Sequence, residues 1–258
     1  FINFKSKSMK KIFTLIAAAL MTVGVNAQDY VLQGGDNATY ATATGDFVTP
    51  IGKNPGETIT NPSSFTCTTA PGITCYMLAA GKAFSNGAYV TYGGTEMRTF
   101  KLSNGAPTEI DLPEGVTISK VEFIGYSNDA SNDTWIAQMG MMVDGVYQDV
   151  YTNDGSKDLI TVRKEHIVKD ESNRDVCDVE PGVITIDNLS LSGKVFLKNG
   201  GKQPCFVINL YKGDATGING IVSESSKNEN APVYNLAGQR VSKDAKGILI
   251  KNGKKIIK

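Results

Sequence analysis

The chain of 258 residues has one histidine, one tryptophan and four cysteines. With His166 as the only imidazole, a histidine triad or a histidine-rich metal centre has a single residue to draw on. Its setting, Arg163-Lys164-Glu165-His166, is that of an exposed strand or loop. There is no Gly-x-Ser-x-Gly elbow, no phosphate loop and no His-Glu-x-x-His, which removes the common hydrolase, nucleotide and zinc-protease readings. No Cys-x-x-Cys pair exists either, so a closed zinc site lacks convergent ligands. Beyond the first thirty residues, no window carries a sustained 3.6-residue apolar stripe with caps at both ends, and helices are not expected.

What is present at the start is a targeting pattern. Lys10 and Lys11 precede the apolar run Ile12 to Val25, and Val25-Asn26-Ala27 sets small residues before Gln28. Residues 9–27 therefore read as a cleavable signal peptide. The run is shorter than the roughly 20 residues that span a bilayer. Residues 1–8 read as an over-extended frame. No cysteine follows the cleavage position, which argues against a lipoprotein. The expected location is extracellular or on the outer cell surface. Cys67, Cys75, Cys177 and Cys205 form an even set for an oxidising compartment, with Cys67–Cys75 and Cys177–Cys205 the favoured pairing of three.

The overall charge balance, 26 basic against 26 acidic residues, hides a division. Residues 228–258 carry a net of +5 and residues 28–227 a net of −9. An acidic body repels a phosphate backbone, so nucleic acid is not an expected partner.

The body reads as strands and turns. Ala88–Thr91, Met97–Leu102, Val116–Tyr126, Ile136–Val143, Leu159–Val162, Val183–Leu191, Lys194–Leu197 and Cys205–Tyr211 are short and rich in Val, Ile, Thr, Phe and Tyr. Asp144-Gly145, Ser192-Gly193 and Asn199-Gly200-Gly201 punctuate them. Such spacing predicts an all-β fold: one antiparallel β-sandwich, jelly-roll or galactose-binding-like, over residues 28–213. Residues 214–230 read as a polar linker. Residues 231–258 resume strand signals with a Lys251-Asn252-Gly253 hairpin turn.

The tail, Pro232 to Lys258, resembles the C-terminal sorting domain of Bacteroidetes proteins exported by type IX secretion. The resemblance lies in Val233-Tyr234-Asn235-Leu236-x-Gly238-Gln239-x-Val241, Lys246-Gly247-Ile248 and Asn252-Gly253-Lys254-Lys255. It implies a small β-rich unit read by outer-membrane secretion machinery. The ending Ile256-Ile257-Lys258 is more like the gut and oral Prevotella or Bacteroides variety than the best-characterised form.

In the body, the loop Ser127 to Thr134 concentrates oxygen donors. Asp129, Asn132 and Asp133 are candidate calcium ligands, although the order is not that of an EF-hand. A loop held by side-chain-to-backbone turns accounts for the same residues. Trp135 beside it suits the apolar face of a sugar, with Tyr126, Asn128 and Asn132 completing a candidate glycan site; a buried core role is the competing reading of the indole. Tyr89 and Tyr92 share that ambiguity. Carboxylate pairs for a glycosidase are Glu109 with Asp111 and Asp178 with Glu180. Segments 118–139 and 193–211 resemble strands of non-catalytic, galactose-binding-like modules in Bacteroidales polysaccharide-processing proteins. The expected function is a non-catalytic carbohydrate-binding or accessory module whose partner is a polysaccharide. The alternatives are a calcium-assisted polysaccharide lyase or glycoside hydrolase, and a surface adhesin for a protein partner.

Overall fold

The computed structural model describes residues 28–153, 155 and 158–213, and in the tail 233–235, 240–242, 248–251 and 254–257. The expected signal segment 9–27, the residues before it and the linker lie outside the described residues. The chain divides into two compact units, with the boundary between Asp214 and Ala215.

In the first unit the strands are β1 (Tyr30–Leu32), β2 (Ala38–Thr42), β3 (Asp46–Val48), β4 (Thr58–Thr60), β5 (Ser63–Cys67) and β6 (Thr74–Met77). Next come β7 (Ser85–Tyr92), β8 (Thr95–Lys101), β9 (Pro107–Asp111), β10 (Thr117–Ser127), β11 (Trp135–Val143) and β12 (Val146–Thr152). The last are β13 (Ile167–Lys169), β14 (Asp175–Cys177), β15 (Gly182–Ile186), β16 (Leu191–Ser192), β17 (Lys194–Gly200) and β18 (Pro204–Lys212). The helical elements among the described residues are two short 3-10 turns. The fold is an all-β sandwich.

Nine strands form one sheet along the path β13-β14-β7-β8-β18-β10-β15, with β1 also on β18 and β16 also on β10. Seven form the other, β12-β11-β17-β9-β6-β5-β2, and β3–β4 is a separate hairpin. Pairing between the named strands is antiparallel except where Val176 of β14 meets Tyr89 of β7 in parallel, so the larger sheet is mixed; an isolated parallel bridge also joins Ser127 to Arg163.

Alternation of side chains across each strand builds three apolar clusters rather than one. Phe65, Met77, Phe100, Phe123, Ile136, Leu197 and Phe206 fill the space between the sheets. Ala88, Val90, Ile124, Tyr126, Cys205 and Val207 form a second cluster on the opposite face of the larger sheet, with Ile167 and Cys177 packed against it. Ile51, Ile59, Leu78 and Phe196 form the third, joined by Phe47, so the β3–β4 hairpin covers the outer face of the smaller sheet. A sheet buried on both faces needs apolar residues at every position, and β18 accordingly has eight consecutive buried residues.

Leu159–Val162 is not a strand; it makes a single bridge, Thr134 to Ile160, despite its β-branched composition. Val183–Leu191 is broken in two where Asn188 takes a positive φ of 56°. The Asp144-Gly145 turn joins β11 to β12 with φ of 49° and 79°, the left-handed pair that a two-residue hairpin demands.

All four cysteines are free thiols in the structure, and neither expected bridge is seen. Cys177 and Cys205 lie on strands separated by β7 and β8. Three strand spacings come to about 14 Å, well beyond the roughly 7 Å limit between bridged Cα atoms. Cys75 stands opposite Phe65 rather than Cys67, and the Cys67 thiol donates to the Val31 carbonyl at 3.2 Å.

The second unit contains β19 (Val233–Asn235), β20 (Arg240–Val241), β21 (Ile248–Lys251) and β22 (Lys254–Ile257), in the order β20-β19-β21-β22. All pairs are antiparallel, and Lys251 pairs with Lys254 across the expected hairpin turn.

Candidate functional site

The polar loop between β10 and β11 is built by its own side chains. Asp129 Oδ1 accepts from the Ser131 backbone N–H at 2.8 Å and from its hydroxyl at 2.6 Å, and Asn132 Nδ2 donates to the same hydroxyl. These Ser131 bonds pull the Asp129 carboxyl down to about 2, with Lys202 3.7 Å away. Asp133 is held from outside the loop: Arg163 donates to its Oδ1 through Nε at 3.1 Å and Nη2 at 2.8 Å. Both carboxylates therefore already face cations and turn donors. A calcium ion would have to displace them, and the candidate set Asp129, Asn132 and Asp133 does not fit a hard-cation site. The turn-held loop is the arrangement observed.

The candidate glycan residues separate in the same way. Tyr126 is buried at 3% exposure in the outer cluster of the larger sheet. Its phenol oxygen accepts the Ala88 N–H at 2.9 Å, and burial pushes its pKa far up. It cannot meet a ligand, which corrects its assignment. Asn128 and Asn132 are partly exposed in the loop. Trp135 belongs to the other sheet, half-buried and packed against the central core, with its ring pressed on Gly200. Tyr89 lies between two guanidinium groups, Arg98 at 5.0 Å and Arg174 at 4.5 Å. Tyr92 packs against the outer cluster.

Of the carboxylate pairs, Asp178 contacts the imidazole Nδ1 of His166 at 3.2 Å on the surface, and Glu180 is exposed. Glu109 and Asp111 do share the outer face of β9. Lys194 of β17 hydrogen-bonds Glu109 and lies 3.4 Å from Asp111. Burial raises the Glu109 carboxyl to about 7, against the lowering pull of Lys194. A carboxyl near 7 is what general acid catalysis needs, but this one is 2% exposed beneath the β3–β4 hairpin side of the sheet.

A concavity lies elsewhere. A cleft of about 500 Å³ opens where β2, the β4–β5 connection and the segment Ala79–Phe84 meet. Tyr40, Thr42, Thr60, Asn61, Ser63 and Lys82 supply its polar and aromatic lining. Tyr40 stacks on Phe65 with ring centroids 5.5 Å apart and donates its hydroxyl to Asn86 at 2.8 Å, so the ring is fixed in place. Burial raises its hydroxyl to about 12, keeping it neutral. Asn61, an exposed residue of the lining, takes a positive φ of 52° where the chain turns, and its amide oxygen accepts the Gly45 N–H. None of these residues stands out in sequence, because they come from three separated segments. The small-residue run Ala79-Ala80-Gly81-Lys82-Ala83 is the one local sign of an open surface there.

No family model matches this chain, and no curated protein matches it. The site must be read from its own chemistry. Hydroxyls, an amide and a lysine around one immobilised ring offer hydrogen bonds to a polar ligand.

Proposed function

We propose that this chain is an exported, non-catalytic glycan-binding or accessory module that engages polysaccharide through the Tyr40 cleft. The observation that carries the reading is the cleft itself: a pre-formed concavity with one fixed aromatic ring and several neutral hydrogen-bonding groups. A sugar offers an apolar face to such a ring and hydroxyls to its rim, and pre-organisation limits the entropy lost on binding. The burial of Glu109 speaks against Glu109 and Asp111 acting as a glycosidase pair on a bound chain.

A glycan array with and without calcium tests this, followed by a reducing-end or unsaturated-product assay on each hit. The expected result is calcium-independent, saturable binding without turnover, weakened at least tenfold by Tyr40→Ala in a variant that still folds. Turnover would move the protein to the enzymes. A blank array would favour an adhesin for a protein partner. Loss through Trp135→Ala, with Tyr40→Ala silent, would return the site to the polar loop.

The tail is proposed as a type IX sorting domain, on its sequence resemblance and its separate four-stranded unit. Deleting residues 232–258 should leave the body folded but held in the periplasm of its host. Normal surface delivery of the truncated chain would remove that reading.

A further inference from the structure

The ion cluster on the outer face of the smaller sheet has an unusual construction. Lys194 stands directly opposite Asp111 in the β17–β9 ladder but leans two pairs along, to the next position on the same face, to hydrogen-bond Glu109. Both Asp111 oxygens remain near its amine, at 3.4 and 3.5 Å. Glu109 is flanked in register by Tyr76 of β6 and Phe196 of β17. Phe47, from the covering hairpin, packs on Tyr76 with centroids 4.6 Å apart and lies 6.0 Å from the Lys194 amine. An amine thus touches a buried carboxyl, beside a second carboxylate, under aromatic cover.

We propose that Lys194 and Glu109 condense to an intramolecular amide that joins β17 to β9 at the centre of the seven-stranded sheet. Burial penalises the carboxylate and favours the neutral acid at Glu109, while against burial the Glu109 hydrogen bond and Asp111 keep the half-exposed Lys194 amine protonated. The raised Glu109 carboxyl fits this. Asp111 takes a proton from Lys194 Nζ, and the freed electron pair attacks the Glu109 carboxyl carbon. A C–N bond forms. That first proton passes from Asp111, whose side chain is partly exposed, to solvent; Asp111 then takes the second proton the nitrogen must lose and returns it to the hydroxyl, which leaves as water when the C–OH bond breaks. No electron is gained or lost overall, and no co-reactant is needed. Lys194 is 51% exposed at its side chain, so solvent favours the competing state, a persistent ion pair. The amide would close a loop of 85 residues and restrict the unfolded chain as a disulfide does. That is a staple that needs no oxidising compartment.

The experiment is peptide mapping of the full chain by mass spectrometry after denaturation and reduction. The expected result is a branched tryptic peptide joining the segments around Glu109 and Lys194, lighter by one water than their sum and uncut after Lys194. Lys194→Arg keeps the charge and should abolish the branch; Asp111→Asn should slow or prevent its formation. Two separate, unmodified peptides from the unsubstituted folded protein would overturn the proposal. A branch that persists in Asp111→Asn at the full rate would overturn the role given to Asp111. Because the decisive measurement uses the unsubstituted chain, misfolding of a variant cannot obscure it.

Discussion

Trp135 lies against Gly200, its cross-strand partner, so closely that a Cβ at position 200 would fall 2.0 Å from the indole Cε2. The only tryptophan of the chain therefore needs a glycine 65 residues away, and it reports on that contact. Gly200→Ala should displace the indole toward solvent, red-shift the intrinsic fluorescence, and cost about 1–3 kcal/mol as overpacking does. Unchanged emission and an unchanged denaturation midpoint would show that the ring does not rest there.

Arg163 holds Asp133, and this decides the fate of the polar loop. Adding calcium, or stripping it with a chelator, should leave the thermal midpoint unmoved, because each loop carboxylate already has cationic or turn partners. Arg163→Gln should loosen the loop, seen as faster amide exchange between Ser127 and Thr134. A calcium-dependent rise in the midpoint of the unsubstituted protein would reinstate the metal site.

The buried phenol of Tyr126 satisfies the Ala88 N–H. Tyr126→Phe keeps the ring but leaves that donor without its partner, with an expected loss of about 1–3 kcal/mol by denaturant unfolding. Glycan affinity should not change. A fall in affinity at unchanged stability would contradict the burial assignment.

Glu109 sets a pH dependence that Lys194 conceals. In Lys194→Met neither the amide nor the ion pair can form, and the remaining influences on the carboxyl, burial first and then Asp111, both raise it. The native-state value then lies above the ordinary value of 4.5, as it does at about 7 with the lysine in place. A raised carboxyl binds its proton more tightly when folded. Its contribution is full below the unfolded value and is lost as pH rises through the folded one. The midpoint of Lys194→Met should therefore fall as pH rises across that window. Adding Glu109→Gln should flatten the profile. A profile that rises with pH would show that Glu109 is stabilised as the carboxylate.

The loops separate what was legible in the sequence from what was not. Asp144-Gly145 forms the hairpin its residues demand, since φ preference is a property of two adjacent residues. Leu159–Val162 has strand composition, but no neighbour offers it a ladder beyond one bridge. Strands β5 and β6 were not legible as strands because serine, threonine and cysteine make up much of them, although Phe65, Cys75 and Met77 are as buried as any valine.

By itself the sequence determined the all-β class, the hairpin turns and the separate strand-forming tail, because period-two patterning and turn preferences act over a few residues. Tertiary structure alone decided which faces are open. Alternation along β10 sets Tyr126 opposite Phe123, and one face would ordinarily meet solvent; here segment 162–177 covers the second face, so both are buried. The Tyr40 cleft, the Arg163 clasp on Asp133 and the Lys194–Glu109 contact each join residues at least 20 positions apart. Burial and partnership are properties of what packs on a residue, and local chemistry does not encode who its distant neighbours are.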